Sequence, residues 1–287
     1  SLVGSEMCIR DRQYSFINTY INFMKSIFRN VLALCIVALA FTSCSPSMES
    51  IVEEANKHCP IKLKGMGKIE SLEFENNTLT YNCLVTTRNF NLSAMEGHEE
   101  EMKYAFLTML PDILNSKGNE AITKKLIDDN SSLAFHLYSK GIKNPRLKGP
   151  KAADITVTFG PEDLRQVVDG KVDNSPEIKL KSMTALSNLQ LPQRIDSETT
   201  FAAIVAKDNN VYYTYVVDES RDPETMTQIE ANKDQLREFL AQTVKSKDPN
   251  IRQVTKLCKE AKYGVVYRYV GEKSGKTLEF AFTPADF

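Results

Sequence analysis

Residues Asn77–Val85 read NTLTYNCLV, and 132 positions further on residues Asn209–Val217 read NNVYYTYVV. Each stretch opens on asparagine and continues with alternating aromatic, β-branched and polar residues, the period-two pattern of a half-buried strand. The same shift lays Pro60 on Pro192 and Ile122-Thr123-Lys124 on Val254-Thr255-Lys256. Toward the ends the shift becomes 123, and ITVTFGPEDL (Ile155–Leu164) falls on LEFAFTPADF (Leu278–Phe287). Both segments contain Phe-x-Pro-x-Asp, and the change of shift gives the first copy nine extra residues between its last two strands. Self-similarity over such a period is the signature of a duplicated unit. Two homologous domains are therefore expected, residues 47–164 and 177–287, joined by a linker over 165–176.

Each copy shows the same order of periodicities. Ile51, Val52 and Ala55 lie at helical spacing in Met48–Cys59, as do Leu180, Met183 and Leu186 in Ile178–Leu191 after Ser175-Pro176, and Pro60 and Pro192 stop these helices. Strands follow on either side of Asn76-Asn77 and Asn209-Asn210, turn chemistry that predicts hairpins. Long charged helical stretches, Glu99–Leu114 and Glu224–Val244, are each followed by a shorter helix that ends near Asp129 or Ala261. A second strand pair closes each unit, Ser132–Tyr138 with Asp154–Phe159 and Val265–Val270 with Thr277–Phe282. The order α-β-β-α-α-β-β predicts an α+β domain: an antiparallel four-stranded sheet with helices packed largely on one face.

Ahead of the first domain, Met24–Cys44 reads MKSIFRNVLALCIVALAFTSC, with Lys25 and Arg29 before the apolar run Val31–Phe41. That run is too short to span a bilayer and fits an export signal over residues 24–43. Phe41-Thr42-Ser43-Cys44 resembles the lipobox of bacterial lipoproteins, which implies a diacylglyceryl group on Cys44. The alternative is an ordinary signal peptide that happens to end at a cysteine. Residues 1–23 are expected to be non-native or upstream sequence, and SLVGSEMCIRDR at 1–12 resembles a translated sequencing adapter. The 287 residues hold 36 Lys+Arg and 37 Asp+Glu, and setting aside four bases and two acids before Cys44 leaves 32 against 35. A mildly acidic, ordinarily hydrophobic chain is neither disordered nor collagen-like, and it carries no bulk positive charge to draw it to nucleic acid.

The duplication offers a test for reactive residues, because each has a counterpart. Cys59, Cys83 and Cys258 fall on Leu191, Tyr215 and Leu126, so they read as buried apolar side chains; a Cys59–Cys83 disulfide is the alternative in an oxidising compartment. His58, His98 and His136 fall on Gln190, Glu230 and Arg268, all polar, and read as solvent positions. No spacing supports zinc, no glycine-rich phosphate loop or nucleophile elbow is present, and no catalytic residue, metal or cofactor is nominated. Tyr213 and Tyr215 share a strand face with Val211 and read as core. The segment Lys140–Lys151 holds five bases, Lys140, Lys143, Arg146, Lys148 and Lys151, and no acid. It reads either as a solvated loop or as a contact to anionic envelope material.

Leu191-Pro192, Asp196, the Tyr-alternating strand, Leu257-Cys258, Gly264 and the Gly271-Glu272-Lys273-Ser274-Gly275 turn resemble the beta-type pilot lipoproteins of type II secretion systems. That resemblance spans about 100 residues of the second copy. It implies a lipid-anchored module that binds other envelope proteins, with no catalytic residues to transfer. The expected function is thus a non-enzymatic interaction, scaffold or assembly lipoprotein, anchored in the outer membrane at its periplasmic face, with a membrane contact through the anchor and an envelope protein as partner. A carrier of a small lipid or glycan ligand, with a pocket lined by Tyr213, Tyr215, Tyr267 and Phe282, is the alternative. A cell-wall enzyme is the third reading.

Overall fold

Asn76 and Asn77 take φ of 47° and 60°, and Asp208 and Asn209 take 50° and 55°. Positive φ at both central residues makes the tight two-residue turn whose twist matches the flanking strands, and Asn and Asp adopt it at low cost. Hairpins therefore form in both copies, closing on Glu75 opposite Thr78 and on Lys207 opposite Asn210, the second turn being Asp208-Asn209, one residue ahead of the expected Asn209-Asn210. The computed structural model describes residues 47–63, 67–86, 91–107, 110–114, 120–141 and 151–287. Among them the chain divides into two compact units between Asp173 and Asn174.

The first unit runs α1 (Met48–Asn56), β1 (Ile61–Leu63), β2 (Gly67–Glu75), β3 (Thr78–Val85), α2 (Glu99–Leu107), α3 (Leu110–Leu114), α4 (Glu120–Asp128), β4 (Ser132–Lys140), β5 (Ala152–Phe159) and α5 (Pro161–Val168). The second runs α6 (Pro176–Asn188), β6 (Gln193–Arg194), β7 (Thr199–Lys207), β8 (Asn210–Val217), α7 (Thr225–Ala231), α8 (Lys233–Val244), α9 (Pro249–Ala261), β9 (Gly264–Gly271) and β10 (Thr277–Phe282). The expected α+β class holds in both. Each sheet has five strands rather than four, in the orders β1-β2-β3-β4-β5 and β10-β9-β8-β7-β6. The additional strands, β1 and β6, are edge pieces of three and two residues.

The sheets are mixed rather than wholly antiparallel. β3 pairs with β4, and β8 with β9, in parallel. The reason is the intervening helices: they carry the chain back to the start of the preceding strand, so the next strand runs beside it in the same direction.

One face of each sheet is buried. On β5 the alternation is complete, with Ala153, Ile155, Val157 and Phe159 buried and Ala152, Asp154, Thr156 and Thr158 exposed. Phe106 of α2 meets Phe135 and Phe159 at ring-centroid distances of 5.4 and 6.0 Å, which places the helices on that face. In the second unit Met226, Ile229, Leu240, Val254 and Cys258 from α7 to α9 join the strand residues in one core.

The two units repeat their irregularities as well as their elements. The β2–β3 register breaks between Ile69 and Ser71, and the β7–β8 register between Phe201 and Ala203. Beside each bulge, an asparagine near the helix end brackets the backbone. Asn56 donates to Leu72 O and accepts from Leu72 N, both at 2.8 Å, and Asn188 does the same for Ile204 at 2.6 and 2.9 Å. Cys59-Pro60 and Leu191-Pro192 are both cis. Phe-x-Pro-x-Asp has a plain geometry: the phenylalanine ends the last strand in the core, the proline starts a helical turn, and Asp163 or Asp286 accepts from the N–H of Gly160 or Thr283 at 2.8 and 2.7 Å.

Candidate functional site

The face of each sheet turned away from the helices carries polar and charged residues whose chemistry differs between the copies. In the first unit, register sets Ser71, Asn82, His136 and Thr156 in one row across β2 to β5, with Tyr138 opposite Asp154 in the next. Their side chains form a continuous array. Asn82 Nδ2 donates to Glu73 Oε1 at 2.8 Å and to Ser71 Oγ at 3.1 Å. Asn82 Oδ1 lies 2.8 Å from His136 Nδ1, and His136 Nε2 lies 2.8 Å from Asp154 Oδ1. The His136 ring stacks on Tyr138 at 5.2 Å, the Tyr138 hydroxyl donates to Glu70, and Glu70 pairs with Lys68. Burial, together with the Glu70 contact, pushes the Tyr138 hydroxyl up to about 12, and the Lys68 and Tyr138 contacts hold the Glu70 carboxyl below its ordinary value. His136, read from sequence as a solvent position, is thus on the outer face but engaged at both ring nitrogens.

The second unit puts different chemistry on the same backbone. Arg268 stands at the place of His136, with Nε 2.6 Å from Glu279 Oε1 and the guanidinium 4.7 Å over the Tyr212 ring. Lys207 lies 5.5 Å from that ring on the other side of the sheet row. Val205, Tyr212, Val266 and Ala281 align across β7 to β10 on this face. Where the first face is a hydrogen-bonded polar array, the second is an aromatic and aliphatic strip crossed by a fixed ion pair.

The remaining sequence-nominated residues fall as follows. Cys44, Lys143, Arg146 and Lys148 lie outside the described residues, while Lys140 and Lys151 are exposed beside the β4–β5 connection. Cys59, Cys83 and Cys258 are free thiols. Burial raises all three; Cys83 reaches about 12, with a lesser contribution from the charge of nearby Cys59, and Cys258 also reaches about 12. Tyr213, Tyr215, Tyr267 and Phe282 pack into a ring ladder with Phe201, Tyr269 and Phe280, at centroid distances of 5.1 to 6.1 Å. These side chains fill the core rather than line a hollow. Among the described residues no group of three His, Cys, Asp or Glu could hold a metal ion, and no helix is long and apolar enough to cross a membrane.

Sequence reading missed two features. An open cleft of about 360 Å³ is lined by Leu114, Thr123 and Ile127 with Arg165 and Val168 of α5; α5 itself went unread because it begins inside the shared Phe-x-Pro-x-Asp segment. The other is Glu219, only 2% exposed, whose carboxylate accepts from the backbone N–H of Ser274 and Lys273 and from Ser274 Oγ at 2.8 to 2.9 Å.

No family model matches this chain, and no curated protein does. Among solved structures, the chain resembles a crystal structure from Pseudomonas aeruginosa described as a candidate secreted protein, at 16% identity and a TM-score of 0.33. That match covers 39% of this chain and 91% of the other. A likeness at that level identifies neither the family nor the function.

Proposed function

We propose that this chain is an exported, lipid-anchored envelope protein that binds other envelope proteins through the outer faces of its two sheets. The observation that carries the reading is the contrast between those faces. A duplicated framework kept its turns, bulges, brackets and caps, while on the outer faces His136 of one copy gave way to Arg268 in the other, Thr156 to Glu279 and Thr80 to Tyr212, and the first copy alone has Asp154 beside its ring. Aromatic rings crossed by arginine, as at Tyr212 and Arg268, are the side chains that most often anchor protein interfaces. The signal over residues 24–43 and the Cys44 anchor supply the location: outside the cytoplasm, on the outer membrane, facing the periplasm.

The test is photocrosslinking of the full chain in the native envelope from Thr214 and Thr156, both on the outer faces. The expected result is a stoichiometric protein adduct that Tyr212→Asp or Asp154→Lys abolishes and Lys256→Glu, on helix α9, preserves. Equal crosslinking by all variants would remove the faces from the reading. Cys44→Ala should move the chain from the membrane fraction to the soluble one. The apolar cleft beside α5 supports the carrier as a second reading, and a lipid or glycan that co-purifies in place of a protein would favour it.

A further inference from the structure

The array on the first face has a proton requirement built into its geometry. The Glu73 carboxylate can only accept, so its 2.8 Å contact fixes Asn82 with Nδ2 toward Glu73 and Oδ1 toward His136. His136 Nδ1 therefore faces an acceptor. On its other side, Nε2 faces the Asp154 carboxylate, a second acceptor. A neutral imidazole donates from one nitrogen only, so both contacts are made only when the ring carries two protons. In the second unit Arg268 stands at the place of His136 and donates to Glu279, directly opposite it on β10, at 2.6 Å, and guanidinium does not lose its proton in water.

We propose that His136 makes the first sheet face proton-responsive, whereas Arg268 keeps the corresponding point of the second face constant. On loss of one proton, Nδ1–H stays with Asn82, which is 9% exposed, and Nε2 becomes an acceptor facing the carboxylate. Asp154, whose side chain is 75% exposed, then turns to water. The face loses one positive charge, which leaves the Asp154 carboxylate uncompensated, and edge strand β5 loses a cross-strand tie. From β4 Tyr138 stacks on the ring and carries its hydroxyl to Glu70 of β2, which Lys68 pairs and Lys140 also attracts, and Glu73 of β2 is reached through Asn82. From β5 Asp154 faces it, and β3 contributes the uncharged Asn82. If the faces bind partners as proposed above, binding through the first is pH-dependent and through the second is not; that consequence rests on the binding reading, while the proton response does not.

The experiment is an NMR titration of the full chain, following the His136 ring, the Asn82 side-chain amide and the Asp154 carboxyl carbon across the range in which imidazole titrates, about pH 5 to 8. All three signals are expected to move together with one midpoint. The protection of β5 amides, corrected for intrinsic exchange, should fall roughly two- to tenfold across it, the worth of one hydrogen bond. His136→Arg should make the Asn82 and Asp154 signals flat, and His136→Gln should abolish the shared midpoint while leaving the fold intact. Asn82 and Asp154 signals that ignore the His136 transition, or that keep it in His136→Gln, would overturn the proposal. Loss of pH response and loss of crosslinking are separate readouts, so either reading can fail without the other.

Discussion

Glu219 shows how one side chain secures a turn that the backbone alone leaves open. The β9–β10 connection contains Gly271 and Gly275, and its amides at Lys273 and Ser274 point inward to the Glu219 carboxylate. Gly271 leaves room for this contact, since a Cβ there would lie 2.8 Å from both carboxylate oxygens and press on the Glu219 side chain. The hydrogen bonds from Ser274, backbone and hydroxyl, and then from Lys273 hold the Glu219 carboxyl below its ordinary value of 4.5. A depressed folded value stabilises the protein above the unfolded value and loses that contribution as pH falls through the folded one. Glu219→Gln should therefore lower the melting temperature at pH 7, with the difference from wild type shrinking as the pH is taken well below 4.5. Thermal melts at a series of pH values check this, and a constant difference would contradict it. The cysteines permit a second prediction at this scale. With thiols near 12, Cys83 and Cys258 carry on the order of one part in ten thousand thiolate at pH 8. Alkylation of the native chain, read peptide by peptide, should spare both and modify the half-buried Cys59 ahead of them.

At the scale of elements, the bulge and its asparagine bracket decide how the first helix of each unit sits on its hairpin. Just past each bulge β1 and β6 no longer pair β2 and β7, so Leu72 and Ile204 turn an N–H and a C=O to an open edge, and a carboxamide two-pronged across one residue satisfies both. Asn188→Ala leaves Ile204 N–H and C=O buried without partners and should cost about 1–3 kcal/mol, measured by urea unfolding. The more exposed Asn56→Ala should cost less. Both asparagines obey the 132-residue shift, so the sequence carried the signal, but a lone asparagine at a helix end reads as a stop and not as a bracket. Other elements were legible because their cause is local. The positive-φ turns follow from Asn and Asp, and the alternation of β5 follows from one buried face. The parallel pairing of β3 with β4 was not legible, since it depends on where three helices return the chain. Nor were β1 and β6, too short to express a period. The array around His136 was hidden for a related reason: Glu73, Asn82, His136 and Asp154 are far apart in sequence, and only the register of four strands brings them into line.

For the molecule as a whole, the duplication implies that each unit carries what it needs to fold. Among the described residues every strand pairing begins and ends within one unit, and the buried core cluster of the second unit runs from Leu180 to Phe282. Residues 169–175 between α5 and α6 contain no helix or strand, and the Lys171 side chain is 72% exposed. Trypsin, which cuts after lysine in exposed, locally opened backbone, should therefore cleave after Lys171. The product from Val172 to Phe287 contains the whole of β6 to β10 and α6 to α9, together with the core between them. It should accumulate as a resistant fragment whose amides in β8 and β9 remain as protected as in the intact chain. The two central strands are the place to look, because they pair on both sides and open only when the unit unfolds. Identification of the cut by mass spectrometry, followed by hydrogen exchange on the fragment, makes the comparison. A fragment degraded as fast as it appears, or β8 amides that exchange freely within it, would mean that the second copy of the duplicated unit relies on the first for its stability.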